Sequence, residues 1–143
     1  MHTFHGSCHC GNIRVRYSTT TAPEAALVRA CQCTFCRKQN ARAVSDPAGQ
    51  LAFFVRDDDQ LSRYRFGMGT ADYLVCRICG VSAGAYMPDP RDGSALGTVM
   101  VGVLDQEARF GEAQPMDYAG ESEDEKRQRR RGRWTPARLA MGA

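Results

Sequence analysis

Three cysteines in one short segment are the residues of this sequence best suited to chemistry. Cys31, Cys33 and Cys36 follow one another at close spacing, and Arg37 and Lys38 come directly behind them. Thiolates are among the preferred ligands of zinc, which takes about four ligands in a tetrahedral arrangement. Three thiolates leave one coordination position for another group, as a catalytic zinc site requires. The segment is therefore a candidate active site.

The other four cysteines form two pairs that lie far apart in the sequence. Cys8 and Cys10 form a CxC pair, and Cys76 and Cys79 form a CxxC pair that Gly80 follows. Two residues between thiols let both sulfurs face one ion, and a glycine can adopt the positive φ that such a turn commonly requires. The two pairs together offer four thiolates, which complete a structural zinc site. The three central cysteines then form a separate site that lacks a fourth ligand.

The two predicted sites differ in their chemistry. A zinc ion with four thiolates carries a charge of −2, offers no open position and stabilises the fold. With three thiolates the charge is −1 and one position stays open, although strong donation by the sulfurs weakens the Lewis acidity of the metal. Such a site is suited to bind an incoming thiol, lower its pKa and hold it beside an electrophile. Arg37 and Lys38 could attract an anionic ligand there or could simply offset the thiolate charge.

Other interpretations of the cysteines are possible. Residues 1–6 lack the apolar segment of a signal peptide, and an odd number of cysteines cannot pair completely, so a disulfide framework is not expected. Redox-active or purely structural thiols are the alternative to metal binding. A deaminating zinc site would need a glutamate in an HxE and PCxxC arrangement, which the sequence lacks. His9 could replace a thiol as ligand, but we expect it to point away from the metal.

Length and charge restrict the remaining possibilities. A chain of 143 residues corresponds to one domain, and 19 Lys and Arg against 16 Asp and Glu indicate neither a nucleic-acid-binding nor a membrane-surface protein. No apolar run approaches the roughly 20 residues of a membrane-spanning helix. We therefore expect a cytoplasmic protein without a membrane partner.

Short strands separated by turns are predicted to position the cysteines. Residues 12–17 alternate apolar and polar side chains, which is typical of a half-buried strand. Further strands are predicted over residues 51–56, 61–66, 73–75, 82–87 and 98–104, and residues 25–30 predict either a strand or a short helix. The predicted fold class is mainly β with few short helices.

The last part of the chain has a different composition. Residues 121–125 are mostly acidic and residues 126–133 mostly basic, with no apolar stripe before Trp134. This pattern predicts a charged C-terminal tail over residues 120–143, helical or disordered, after a zinc domain over residues 1–119. The basic residues could contact nucleic acid. However, the neighbouring acidic run would repel phosphate, so nucleic acid is not the expected partner.

In their order and spacing, the cysteine groups resemble those of the glutathione-dependent formaldehyde-activating (GFA) family, which includes the domain of centromere protein V. The matching features are Gly6-x-Cys8-x-Cys10-Gly11, Cys31-x-Cys33-x-x-Cys36-Arg37-Lys38, Cys76-x-x-Cys79-Gly80 and Val103-Leu104-Asp105. Together they span about residues 6–105. One group alone would be a weak indication, whereas all seven cysteines in order are specific.

The resemblance implies a fold, two metal sites and an activity. The implied fold is an Mss4-like arrangement of packed antiparallel sheets stabilised by two zinc ions. The implied ligands are Cys8, Cys10, Cys76 and Cys79 for a structural zinc and Cys31, Cys33 and Cys36 for a catalytic zinc. The implied enzyme is a carbon–sulfur lyase that adds glutathione, or another small thiol, to a small aldehyde. With glutathione and formaldehyde the product is S-hydroxymethylglutathione. The same enzyme could catalyse the reverse reaction.

Two other functions stay open at this point. The chain could be a non-catalytic binding module stabilised by zinc, which contacts nucleic acid through its basic tail. It could also be a degenerate relative whose three-cysteine site is empty or oxidised. The number of zinc ions per chain distinguishes these cases from the enzyme.

Overall fold

Strands dominate the computed structural model, which describes residues 1–142. The strands are β1 (His2–Ser7), β2 (Ile13–Thr19), β3 (Arg29–Cys31), β4 (Ala43–Val44), β5 (Gln50–Val55), β6 (Leu61–Tyr64), β7 (Asp72–Cys76), β8 (Ser82–Pro88), β9 (Ala95–Met100), β10 (Gln114–Met116) and β11 (Thr135–Met141). The α-helices of the described residues are α1 (Thr34–Gln39) and α2 (Glu123–Arg133). The predicted mainly β fold class is confirmed. Neither helix is long and apolar enough to cross a membrane.

The strands form one hydrogen-bonded network. Its main path runs β1-β2-β5-β11-β9-β4-β3-β10, and β8, β7 and β6 continue from β9 as a branch. Most neighbouring strands are antiparallel, as expected. Two pairs are parallel, namely β11 with β5 and β10 with β3. The sheet is therefore mixed, and the parallel pairs bring distant parts of the chain together.

The hydrophobic core packs against strands in which buried and exposed side chains alternate. Ile13, Val15 and Tyr17 on β2 are buried, whereas Arg14 and Arg16 between them are exposed. Strand β5 pairs antiparallel with β2 and contributes its own buried apolar side chains to the same cluster. The strand predicted over residues 12–17 is confirmed, because burial of one face selects the period of two.

The last predicted strand is shorter than its apolar sequence suggested. Strand β9 ends at Met100, and Val101–Val103 form a 3-10 turn. The N–H of Val101 donates to the carbonyl of Arg42, and the N–H of Leu104 closes the turn on Val101. A continuous apolar run is buried in either conformation, so the sequence alone does not distinguish a strand from a buried turn here.

The C-terminal segment differs from the expected charged tail. Ser122 caps α2 through a capping box with Glu125, and the helix is followed by a strand that the sequence analysis did not predict. Strand β11 lies between β5 and β9, and Thr135 at its start is fully buried. Few side chains of β11 are strongly apolar, but the segment forms a strand because its backbone hydrogen-bonds to two neighbouring strands. Ala143 lies outside the described residues.

Candidate active site

The four outer cysteines meet in space. The sulfur atoms of Cys8, Cys10, Cys76 and Cys79 all lie within 4.8 Å of one another. The Sγ of Cys10 is 3.8 Å from that of Cys8 and 3.5 Å from that of Cys76. Two thiolates of a tetrahedral zinc, each about 2.3 Å from the metal, lie about 3.8 Å apart. The cluster therefore fits a zinc ion and could hold one.

Two similar turns position these sulfurs. Cys8 and Cys10 lie in the turn between β1 and β2, where Gly11 has a φ of +86°. The second pair lies at the end of β7 and in the turn that follows, where Gly80 has a φ of +81° and donates its N–H to the carbonyl of Cys76. Both glycines adopt a conformation that other residues rarely take. The positive φ expected for Gly80 is confirmed.

Neighbouring groups set different pKa values for the thiols of this cluster. Burial raises the pKa of Cys76 to about 12. Burial also opposes ionisation of Cys79, but the backbone N–H groups of Val81 and Cys10 help to lower the pKa of that thiol to about 6. The cluster thus holds a readily ionised thiol beside a protonated one. When a metal cation binds, the thiols that are still protonated release their protons.

The three central cysteines form a second cluster where β3 leads into α1. The sulfur atoms of Cys31, Cys33 and Cys36 lie within 4.8 Å of one another. Cys33 is the N-cap of α1, and its Sγ accepts a hydrogen bond from the N–H of Cys36 at 3.4 Å. Cys36 is buried, whereas the other two are half-buried. This donor set also suits zinc, so the cluster could hold a second metal ion.

Hydrogen bonds within this cluster favour the thiolate form of Cys31. The hydrogen bond with Cys36 lowers the pKa of Cys31 to about 5 in spite of burial, and the positive charge of Arg129 acts in the same direction. The same hydrogen bond and burial raise the pKa of Cys36 above its usual range. A thiolate is the form in which cysteine binds a metal or attacks an electrophile.

A cavity of about 240 Å³ opens onto the three central thiols. Aromatic side chains form part of its lining, and among them the rings of Phe66 and Tyr73 lie 4.8 Å apart. Burial raises the pKa of Tyr73 to about 12, so its hydroxyl stays protonated at neutral pH. Ligand sites are typically cavities of about 300–1,000 Å³ with a mainly apolar lining. This cavity is slightly smaller than that range and suits a small substrate.

The cavity also carries several positive charges. Arg29 comes from β3, whereas Lys126, Arg129 and Arg130 come from α2. Arg129 pairs with Glu121 at 2.8 Å and lies 3.5 Å from the ring centroid of Tyr118. The sequence did not indicate that the three cations of α2 line the site, because α2 has the charge pattern of a solvated helix. The sequence feature that could have indicated packing of this helix against the domain is Trp134, the single tryptophan of the chain, which comes directly after the basic run.

Arg37 and Lys38 have a different position from the one that their place in the sequence suggested. Both are exposed in the last turn of α1, where their charges favour the helix C-terminus. Neither lines the cavity that contains the three thiols. Their role in substrate binding stays a prediction.

Comparison with known proteins agrees with these observations. The family model described as glutathione-dependent formaldehyde-activating enzyme matches residues 3–118. A crystal structure of a Rhodobacter sphaeroides protein is 28% identical, with a TM-score of 0.60, and the similarity covers 78% of this chain and 99% of that one. None of the curated proteins matches the chain. Because the family match spans most of the chain and all seven cysteines, the resemblance is confirmed and the chain belongs to the GFA family.

Proposed function

We propose that this protein is a zinc-dependent carbon–sulfur lyase that adds a small thiol to a small aldehyde or reverses that addition. The observation that carries the proposal is the three-thiol cluster at the wall of a cavity, while the other four cysteines form a complete set of their own. The family description supports glutathione and formaldehyde as the substrates. Two zinc ions per chain are the proposed cofactors.

The three central cysteines would hold the catalytic metal. Zinc bound by Cys31, Cys33 and Cys36 would supply an open coordination position and lower the pKa of an incoming thiol. The chain keeps its own sulfurs in position, because Cys36 is buried and its N–H holds the sulfur of Cys33. Apolar and aromatic side chains form much of the cavity lining and would reduce the contact of the reacting groups with water.

In the proposed addition, a carbon–sulfur bond forms while the π bond of the aldehyde carbonyl breaks. The thiol loses its proton and the carbonyl oxygen gains one, so the overall charge is unchanged. Tyr73 lines the cavity and stays protonated at neutral pH, so its hydroxyl is a suitable hydrogen-bond donor to that oxygen. The positive charge of Arg129, which also favours the thiolate of Cys31, favours the negative charge that develops in the reaction.

Exchange measurements test this proposal. Zinc-loaded protein should accelerate the exchange of formaldehyde between its free form and its glutathione adduct, as followed by NMR exchange spectroscopy. Cys33→Ser should abolish the acceleration and remove one of two zinc ions, while circular dichroism shows a retained fold. An unmodified protein that holds two zinc ions and accelerates no exchange at any pH from 6 to 9 would refute the formaldehyde–glutathione reaction.

A non-catalytic module that binds nucleic acid through its basic C-terminal residues is the alternative. Three of these residues, Lys126, Arg129 and Arg130, line the cavity instead of forming a continuous exposed surface. The cavity therefore favours the enzyme. DNA retention that decreases in Arg131→Gln, together with one zinc ion per chain, would favour the module. The cytoplasmic location stays a prediction from the sequence.

A further inference from the structure

Arg130 is a buried cation without a carboxylate partner in the part of the chain that the structure describes. It is 5% exposed. Its Nη1 donates to the hydroxyl of Thr70 at 2.7 Å and contacts the Sδ of Met87 at 3.7 Å, and its guanidinium lies 4.4 Å from the ring centroid of Trp134. Its Nε–H has no hydrogen-bond partner among these residues. The ion pairs found within residues 1–142 do not include Arg130.

The surroundings of Arg130 do not supply the missing negative charge. Arg29 lines the same cavity, donates to Thr98 Oγ1 at 3.1 Å and likewise has no ion pair within residues 1–142. Glu121 is already engaged by Arg129 through two hydrogen bonds. Among the described lining residues, Asp117 is the single carboxylate beside four cations. A zinc ion with three thiolates would add one further negative charge, so together with Asp117 and Glu121 three negative charges stand against four cations and the cavity has a net positive charge.

A buried charge without a partner is unfavourable, because the protein does not replace the water that the charge has lost. An anionic ligand in the cavity would provide the missing partner. The planar guanidinium group matches a carboxylate, which can accept two parallel hydrogen bonds from it. The apolar part of the lining suits a short carbon chain between this carboxylate and the reacting group.

We propose that Arg130, assisted by Arg29, binds the carboxylate of a short substrate whose reactive end lies at the three thiols. This inference rests on the proposed function and deepens it, since it names the cation that would hold a carboxylate of the thiol, as glutathione also carries, or requires an acidic aldehyde in place of formaldehyde. The carboxylate-binding cation comes from α2, which lies outside residues 3–118 that match the family model. Selection among acidic substrates is then a property of the C-terminal segment.

A different role for Arg130 has to be separated from this one. Its charge could simply offset the negative charge of the metal–thiolate cluster, because Cys31 influences Arg130 electrostatically. In that case, replacement of Arg130 would weaken metal binding without changing the choice among substrates. Metal content is therefore measured beside substrate preference in every variant.

Two matched pairs of substrates identify the source of the carboxylate. In the first arm, calorimetry compares 3-mercaptopropionate with the uncharged 3-mercaptopropanamide as ligands of the zinc-loaded protein. In the second arm, NMR exchange with 2-mercaptoethanol compares succinic semialdehyde with butanal. We expect a preference of about tenfold or more for the acid in one arm, as a charge-assisted hydrogen bond provides. No preference in either arm overturns the proposal.

Variants then assign the preference to Arg130. Arg130→Gln should remove the preference, and the matched control Arg131→Gln should retain it, because Arg131 is exposed on the same helix and does not line this cavity. A preference that survives in Arg130→Gln overturns the proposal. Reduced zinc content with an unchanged preference also overturns it and supports the charge-balancing role.

A measurement on the unmodified protein covers the case in which Arg130→Gln does not fold. The Arg130 Nε is buried and has no partner within residues 1–142, so no other acceptor obscures its N–H signal, which reports on a carboxylate that binds the part of the same guanidinium that lines the cavity. The acid preferred in the arms above should shift this signal, and its uncharged counterpart should not. No shift at a saturating concentration of the acid overturns the proposal.

The outcomes separate this inference from the proposed function. Exchange catalysis without preference for an acid leaves the lyase proposal intact and removes the carboxylate subsite. Binding of 3-mercaptopropionate that depends on Arg130, without acceleration of any exchange, leaves the subsite intact and removes the lyase.

Discussion

The Sγ atom of Cys10 lies 3.5 Å from the Sγ atom of Cys76, although 66 positions separate the two residues in the chain. A metal ion at this point would join the turn after β1 to the end of β7. Such a link connects one end of the main sheet path to its branch. We therefore expect the four-cysteine site to contribute to folding and not to catalysis.

Loss of this site should destabilise the whole domain. Cys76→Ser removes one ligand, so we expect one zinc ion fewer per chain and a loss of several kcal/mol in the free energy of unfolding, since structural zinc binding is coupled to folding. Metal analysis and thermal denaturation measure both effects. His9→Ala is the control, because His9 lies between two of the cysteines but is exposed. Two zinc ions in folded Cys76→Ser would contradict the assignment of this ligand.

Gly6 should be intolerant of any side chain. It pairs with Leu104 in an isolated bridge, and a Cβ at Gly6 would overlap the carbonyl oxygen of Val103 and lie 2.8 Å from the Cα of Leu104. Gly6→Ala should therefore lower the free energy of unfolding by about 1–3 kcal/mol or more, as overpacking against backbone does. Gly111→Ala is the control, because a Cβ there meets nothing within 4 Å. Equal denaturation midpoints for the two variants would disprove the close contact.

The carboxylate of Asp46 should make stability depend on pH in the acidic range. Burial opposes its ionisation, but hydrogen bonds from Thr19, Thr20 and Ala48 lower its pKa to about 2. Because this pKa is lower than the unfolded value of about 3.9, the ionised carboxylate stabilises the fold at pH values above about 3.9. This stabilisation is lost as the pH falls toward 2.

Replacement of Asp46 tests this dependence. Asp46→Asn should cost about 1–3 kcal/mol near pH 7, because hydrogen bonds to a charged acceptor are lost. The difference from the unmodified protein should shrink between about pH 4 and pH 2, where the native carboxylate takes up its proton. Urea denaturation at several pH values measures it, with the exposed Glu112→Gln as control. A difference that does not change with pH would exclude the carboxylate as its source.

Truncation should show that the C-terminal segment is required for folding. A chain that ends at Gly120 lacks α2 and β11, so β5 and β9 lose the strand that lies between them. We expect this chain to be unfolded by circular dichroism, whereas a chain without residues 142–143 should melt as the full protein does. Cooperative melting of the chain that ends at Gly120 would show that the remaining strands form a stable domain without β11.

The sequence by itself determined how the seven cysteines divide into two candidate metal sites. The spacings CxC, CxCxxC and CxxC are local, and the number of thiols in each group is enough to separate a set of four from a set of three. The alternation in residues 12–17 also sufficed to predict β2, because burial of one face fixes a period of two. These features depend on near neighbours along the chain.

Only the tertiary structure decided which cations face the three thiols and where the C-terminal segment lies. Arg37 and Lys38, next to the cysteines in sequence, point to solvent, whereas Arg29 and Arg130 line the cavity. Strand β11 pairs in parallel with β5, whose residues lie more than 80 positions away. Neither contact leaves a local pattern. A helix whose cations line a cavity carries the same charged residues as a solvated helix, and long-range pairing is visible only once the sheet has formed.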